Sequence, residues 1–256
     1  MTDNEKIKRL QSFIDESHNI VFFGGAGVST ESGVPDFRSK DGLYNQKDIR
    51  FEQYSPEYLL SHSCLVEHPD VFFEFYKQKM DARHVKPNDA HIFLAKLEEI
   101  GKLSAIVTQN IDYLHQRAGS RKVYEIHGTT YTNYCSRCGK KYGPDYLYET
   151  KERIPHCDCG GVIRPDVTLY EEGLPEDAVR YSVRAIQDAD MMIIGGTSLR
   201  VYPAASYINY FHGKHLVVIN RESLDLHMDP EQDLEINDPI GQVFRAVAEL
   251  MGIDLS

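Results

Sequence analysis

The sequence predicts an α/β fold: a doubly wound parallel sheet that carries a smaller inserted module. Three observations predict it. Short apolar runs rich in Val and Ile recur at 20–23, 105–107, 123–126, 191–194 and 216–219, and their length and composition suit strands buried on both faces. Helical spacings lie between them, so strands and helices alternate. Two stretches break the alternation, one polar and aromatic, the other rich in cysteine and tyrosine, and they supply the inserted module.

Taken in order, the chain opens with a helix whose Ile7, Leu10 and Ile14 share a face. The strand at 20–23 follows and runs into a glycine-rich turn. The polar, aromatic stretch from 39 to about 83 reads as helical. A helix with Ile92, Ala95 and Leu97 pointing inward comes next, capped by Asn88 or Asp89 and followed by Gly101. The strands at 105–107 and 123–126 precede the cysteine-rich stretch, and those at 191–194 and 216–219 follow it. Asp238 and Pro239 announce a last helix carrying Val243, Val247 and Leu250 and closed by Gly252. Residues 222–237 match no pattern.

With 41% apolar side chains, 256 residues can bury a full core. The formal charge of −11 disfavours non-specific attraction to nucleic acid or anionic lipid and mildly favours cationic partners such as lysine-rich peptides. No apolar stretch approaches the ~20 residues of a membrane span. The start, MTDNEKIKRL, lacks the apolar centre of a signal peptide. The expectation is a cytoplasmic protein without direct nucleic-acid or membrane partners. Among the cysteines, Cys64 stands apart and reads as a buried apolar side chain. Cys135, Cys138, Cys157 and Cys159 form C-x2-C and C-x-C pairs. That spacing lets thiolates converge from two tight turns onto one tetrahedral zinc ion, and four thiolates leave it no open position for chemistry.

The first strand runs into GGAGVSTESGVPDFRS, residues 24–39. Glycines at a strand-to-helix turn let backbone N–H groups approach a pyrophosphate, although the spacing departs from G-x-G-x-x-G. The turn continues into Pro35, Asp36, Phe37 and Arg38, which join a carboxylate, an aromatic ring and a guanidinium in one rigid segment. A second dense segment, TQNIDYLH, follows the strand at 105–107, and His127 ends the strand at 123–126. Parallel sheets bind ligands outside the carboxyl ends of their strands. Gly25, Gln109, His127, Gly196 and Asn220 would gather there.

These segments, together with CGGVIRPDV, GTSLRVYPAA and VVIN, resemble in their order the sirtuins, NAD-dependent protein lysine deacylases, over nearly the whole chain. The likeness is to compact bacterial or archaeal-type members. It implies a Rossmann-like NAD-binding domain from 1–38, 84–128 and 165–256, and a small domain from a helical insert, 39–83, and a zinc-binding insert, 129–164. It further implies that Gly25, Ala26, Thr30, Phe37 and Arg38 line the dinucleotide path, with Arg38 on phosphate and Phe37 over nicotinamide. Gln109 and Asn110 would bond the ribose and its waters, and Ile111 and Asp112 the carboxamide. Thr197, Ser198, Asn220 and Arg221 would meet the adenosine half, with Asp238 and Ile240 near adenine. Tyr113, Leu114 and His115 would lie outside the pocket, with His115 a structural histidine.

In that family the acyl oxygen of the substrate lysine displaces nicotinamide to form an alkylamidate, and a histidine, here His127, acts as general base through the ribose hydroxyls. Catalysis would thus fall to His127 and Asn110, with NAD and zinc as cofactors and acyl-lysine proteins or peptides as substrates. An extended peptide would lie between Val167, Thr168, Leu169 and Tyr170 on one side and Leu199, Arg200 and Val201 on the other. Two departures bear on substrate choice: Tyr170-Glu171-Glu172 stands where sirtuins commonly read phenylalanine-glycine-glutamate, and Arg200 where a small or apolar residue is frequent. Tyr76 and Lys79 have the spacing of the tyrosine and arginine found in members that remove acidic acyl groups. Lysine lacks the planar fork that binds a carboxylate, so acetyl is the expected group. The rival readings are a mono-ADP-ribosyltransferase or NAD glycohydrolase using the same pocket, and a non-catalytic NAD-binding adaptor.

Overall fold

The computed structural model describes residues 3–37, 39, 42–45 and 48–256. Among these, the strands in chain order are β1 (Ile20–Gly24), β2 (Leu103–Thr108), β3 (Val123–Glu125), β4 (Gly128–Cys135), β5 (Lys141–Tyr142), β6 (Ile163–Val167), β7 (Met191–Gly195), β8 (His215–Ile219) and β9 (Leu234–Ile236). The helices are α1 (Asp3–Glu16), α2 (Pro56–Leu59), α3 (His62–Glu67), α4 (Pro69–Lys79), α5 (Asp89–Glu99), α6 (Leu114–Arg117), α7 (Tyr146–Glu149), α8 (Glu176–Asp188) and α9 (Ile240–Met251).

The large sheet runs β3-β2-β1-β7-β8-β9, and every neighbouring pair is parallel. Strand order reverses between β1 and β7, which is where an open parallel sheet leaves a crevice at its carboxyl edge. Alternate residues face opposite layers. Phe22, Ile106, Ile193 and Val217 pack with α1, α5 and α9, while Val21, Phe23, Val107, Ile194 and Val218 pack with α8 and the short helical turn Ala204–Tyr210. Burial on both faces is why these strands read as unbroken apolar runs. At the centre of the first layer Phe244 of α9 meets Phe93 of α5 at 4.8 Å and Phe22 of β1 at 6.3 Å between ring centroids. Truncating such a ring costs about 3–5 kcal/mol.

Four details differ from the sequence expectation. The run 123–126, read as a strand buried on both faces, gives β3 at the sheet edge, where Val123, Tyr124 and Glu125 are half-buried. The α5 face is set by Ala90, His91, Phe93, Leu94 and Leu97, leaving Ile92 and Ala95 half-buried, because the helix buries two adjacent rows. In α9, Leu250 is exposed and Ile240, Phe244 and Ala248 join Val243 and Val247 in the core. The unplaced stretch 222–237 contains β9, a short edge strand whose Leu234 and Ile236 are too few to signal a period. Asn88 is the α5 cap, its side chain accepting from the Ala90 N–H.

The second sheet, β5-β4-β6, is antiparallel. Its Cys135, Ile163 and Val167 share a core with Leu59, Cys64, Phe72, Phe73 and Tyr76 from α2 to α4. Burial pushes the Cys64 thiol up to about 11, so it stays a neutral apolar side chain. At the edge of this core Arg164 forks onto Glu172, with Nη1–Oε1 at 2.5 Å and Nη2–Oε2 at 2.8 Å. Burial alone would raise the Glu172 carboxyl, but the guanidinium and the Leu169 N–H hold it at about 2.

The sulfurs of Cys135, Cys138, Cys157 and Cys159 all lie within 4.8 Å of one another. Sγ–Sγ distances of 3.5 Å for Cys135–Cys159 and 3.7 Å for Cys138–Cys157 are too long for disulfides. They approach the ~3.8 Å edge of a tetrahedron with Zn–S bonds of about 2.3 Å. The Arg137 and Cys138 N–H groups point at the Cys135 sulfur, as expected for a thiolate in a metal knuckle. The donor set therefore fits zinc.

Two outcomes follow from this packing. Cys135→Ser should release about one equivalent of zinc per chain and loosen the small sheet, read by metal analysis and proteolysis; a wild type without zinc would contradict it. Gly196 has φ +57°, and a Cβ there would stand 2.3 Å from the Val28 nitrogen. Gly196→Ala should therefore cost about 2 kcal/mol or more, lowering the melting temperature by about 4–8 °C in a circular-dichroism melt.

Candidate active site

The crevice is built by backbone against backbone. The Gly25 N–H donates to the Gly195 carbonyl at 3.2 Å, and the Gly27 N–H to the Gly196 carbonyl at 2.8 Å, so the glycine-rich turn after β1 lies directly on the end of β7. The turn then coils through Ala26–Val28 and Thr30–Ser32, where the Thr30 hydroxyl donates to the Gly27 carbonyl. Above it opens a cleft of about 990 Å³, at the upper end of the range for small-molecule sites.

The segment after β2 is anchored by the Gln109 N–H, which donates to the Gly24 carbonyl at 2.9 Å. Its side chains enter a buried network centred on Ser29. The Ser29 hydroxyl donates to Asp112 Oδ2 at 2.6 Å and accepts from Asn110 Nδ2 at 3.0 Å; His91 Nε2 lies 3.4 Å away. With the hydroxyl proton committed to Asp112, His91 Nε2 must carry the proton toward Ser29. Its Nδ1 then accepts from the Asn88 N–H at 3.2 Å. Burial holds His91 neutral, down to about 3, and raises the Asp112 carboxyl despite the Ser29 and Leu114 hydrogen bonds. The His115 ring lies tilted against His91, 4.8 Å between centroids. Its ring nitrogens have no partner among the described residues, and burial keeps it neutral.

His127 sits between β3 and β4. Its Nδ1 is 2.9 Å from the Gln109 carbonyl, which can only accept, so Nδ1 holds the proton and Nε2 keeps a lone pair. Burial pushes its pKa below the ordinary value, outweighing the opposing effect of that hydrogen bond. The next residue, Gly128, has φ +74°, and a Cβ there would stand 2.2 Å from the Asp166 carbonyl. The histidine is thus pinned where β4 and β6 pinch together. A neutral imidazole with its free nitrogen in a ligand-sized cleft has the makings of a general base.

The cleft brings together Gly25, Ala26, Thr30, Phe37, Gln109, Asn110, Ile111, His127, Val167, Thr168, Leu169, Thr197, Ser198, Val201, Asn220, Arg221, Asp238 and Ile240. Arg38 lies outside the described residues. Asp112 and Leu199 are expected at the cleft but do not line it: Asp112 bonds Ser29 and the Leu114 N–H behind the surface, and Leu199, with φ +52°, packs toward the α8 layer. Glu31, Tyr44, Tyr76, Met80 and Tyr202 line it without having been singled out as cleft residues of the dinucleotide path. Glu31 and Tyr202 lie inside the quoted motifs beside Thr30 and Val201, and Tyr76 carries the spacing noted for acidic acyl groups, whereas no local pattern marks Tyr44 and Met80. Tyr76 is buried and stacked between Phe72 and Tyr148, while Lys79 is half-buried and outside the lining. The hydroxyls of Tyr44 and Tyr170 share a hydrogen bond of 2.9 Å.

The model of the Sir2 family matches residues 25–203. A Clostridium perfringens protein named NAD-dependent protein deacetylase is 55% identical over 249 residues, covering 96% of this chain and 100% of that protein. A solved Sir2 with a deacetylated p53 peptide and 3'-O-acetyl ADP-ribose aligns with a TM-score of 0.86 at 37% identity, over 97% of this chain and 100% of that one. A Sir2 with a p53 peptide and NAD+ gives a TM-score of 0.83 at 38% identity, over the same shares. With its sheet, its cysteine cluster and these likenesses taken together, the chain belongs to the Sir2 family.

Proposed function

We propose that the protein is an NAD-dependent protein lysine deacetylase. The observation that carries the reading is His127, neutral, tethered through Nδ1 and facing a ligand-sized cleft at the switch point of a parallel sheet. The deacetylase name of a relative so similar over nearly the full length supports it, as do the peptide and NAD+ held by a solved neighbour. NAD, when bound, supplies the ribose carbon that accepts the acyl oxygen as nicotinamide leaves.

The remaining roles belong to the chain. Residues of the glycine-rich turn would cradle the pyrophosphate, with Phe37 closing the nicotinamide end. Thr197, Ser198, Asn220, Arg221, Asp238 and Ile240 would take the adenosine half. Asn110 would present its amide to the ribose, oriented by Ser29. Ile111 would line the carboxamide pocket, with Asp112 supporting it from behind. His127 Nε2 would take the proton of a ribose hydroxyl, which then becomes the attacking oxygen. The cysteine cluster would staple the small unit, which we read as 39–83 and 129–164 against the NAD-binding remainder. Thiolates gathered for a metal also support a reducing, cytoplasmic location.

Nicotinamide release from NAD should depend on an acetyl-lysine peptide; release without peptide would favour the glycohydrolase or transferase reading. His127→Ala should lower turnover by about 10²- to 10⁴-fold while NAD still binds, as followed by calorimetry. The lowered His127 pKa keeps the base free at neutral pH, so the acid limb of kcat/KM should have its midpoint below ~6.5. Burial pushes the Glu125 carboxyl up to about 7. Glu125→Gln should therefore leave that limb in place, and its disappearance would reassign the limb to the acid. Ser29→Ala would strand the Asn110, Asp112 and His91 partners. It should lower kcat and cost about 1–3 kcal/mol of stability in denaturant titration.

A further inference from the structure

The two walls of the cleft differ in what their backbones can still offer. On the β6 side the Thr168 N–H donates to the His127 carbonyl, the Leu169 N–H to Glu172 and the Tyr170 N–H to the Leu60 carbonyl. On the other side the Leu199 N–H is turned back onto Thr197 Oγ1 at 3.2 Å. The N–H groups of Arg200 and Val201 have no partner among the described residues. The carbonyls of an added strand would therefore accept from the N–H groups of Arg200 and Val201, which lie in the turn after β7 outside either sheet.

Side-chain chemistry on the walls is equally unequal. Glu172 is committed to Arg164 and His62, and Glu171 accepts from the N–H and hydroxyl of Ser63 at 2.9 and 2.7 Å. Arg200 lines the cleft in place of the Leu199 that turns away. It is exposed and has no ion-pair or hydrogen-bond partner among the described residues. A residue at a strand edge faces the side chain directly opposite it, and opposite charges in that position attract.

We infer that Arg200 selects acyl-lysine peptides with an acidic residue directly opposite it in the added strand. This rests on the deacetylase reading and reverses, locally, the preference for cationic partners that the net charge of −11 suggests. The overall field acts on encounter, whereas Arg200 acts on the docked strand.

The test uses the full-length protein, NAD and acetyl-lysine peptides in which each flanking position is in turn alanine, aspartate or lysine. Both kcat/KM and peptide affinity by fluorescence anisotropy are measured. At one position aspartate should exceed alanine by about two- to five-fold, with lysine below alanine, and the spread should shrink as salt is raised. The preference should vanish in Arg200→Ala and invert in Arg200→Glu. An unchanged charge profile in Arg200→Glu overturns the assignment. Absence of acyl-dependent nicotinamide release from every peptide would instead defeat the deacetylase reading, and the anisotropy series would still report the charge preference.

Discussion

The approach of the turn after β1 to the end of β7 is the constraint on which the site depends. The bond from Gly27 to Gly196 is possible only because both partners lack side chains, and beside it the Gly25 bond to Gly195 brings Gly25 to where a Cβ would meet Thr197 and the Gly196 carbonyl. They hold the two strands of the switch point at the separation that leaves a crevice above them. The Gln109 bond to Gly24 then brings the next segment to the same edge. Three separate stretches of chain are registered to one another by main-chain contacts before any functional side chain is considered.

Behind that crevice the polar groups are ordered by a shortage of solvent. Ser29 has one proton and two lone pairs, and Asp112, Asn110 and His91 account for them. Burial keeps His91 neutral, so its tautomer is fixed by the groups around it. A buried network of this kind is valuable only when every member is satisfied. Here the saturation orients the Asn110 amide beside the cleft, while His127 is oriented independently by the Gln109 carbonyl.

The small unit contributes a different kind of order. Its core mixes aromatic side chains of α2 to α4 with residues of β4 and β6, and a cysteine cluster lies at the far end of those strands. The fork of Arg164 on Glu172 and the hydrogen bonds of Glu171 to Ser63 tie the strap after β6 to α3. That strap forms one wall of the cleft. Cysteine cluster, core and wall are thus mechanically continuous.

The sequence by itself determined the parallel sheet, because strands buried on both faces must be continuously apolar, and the runs 20–23, 105–107, 191–194 and 216–219 are. It also determined the cysteine cluster, whose spacing is local, and the strand-end position of His127, which follows directly from the run before it. Other features needed tertiary structure. β9 is too short to carry a period, and Leu250 sits at a helical position whose burial depends on what lies beyond the end of α9. Asp112 and Leu199 belong to segments that the sequence marks for the site. Their directions were decided by Ser29, 83 positions away, and by a left-handed backbone at Leu199. Tyr44 and Met80 reach the cleft from a turn and a helix end whose local pattern describes only packing. Periodicity and spacing record which residues are buried or brought close by the covalent chain; which way a side chain turns within a crowded crevice is set by partners distant in sequence.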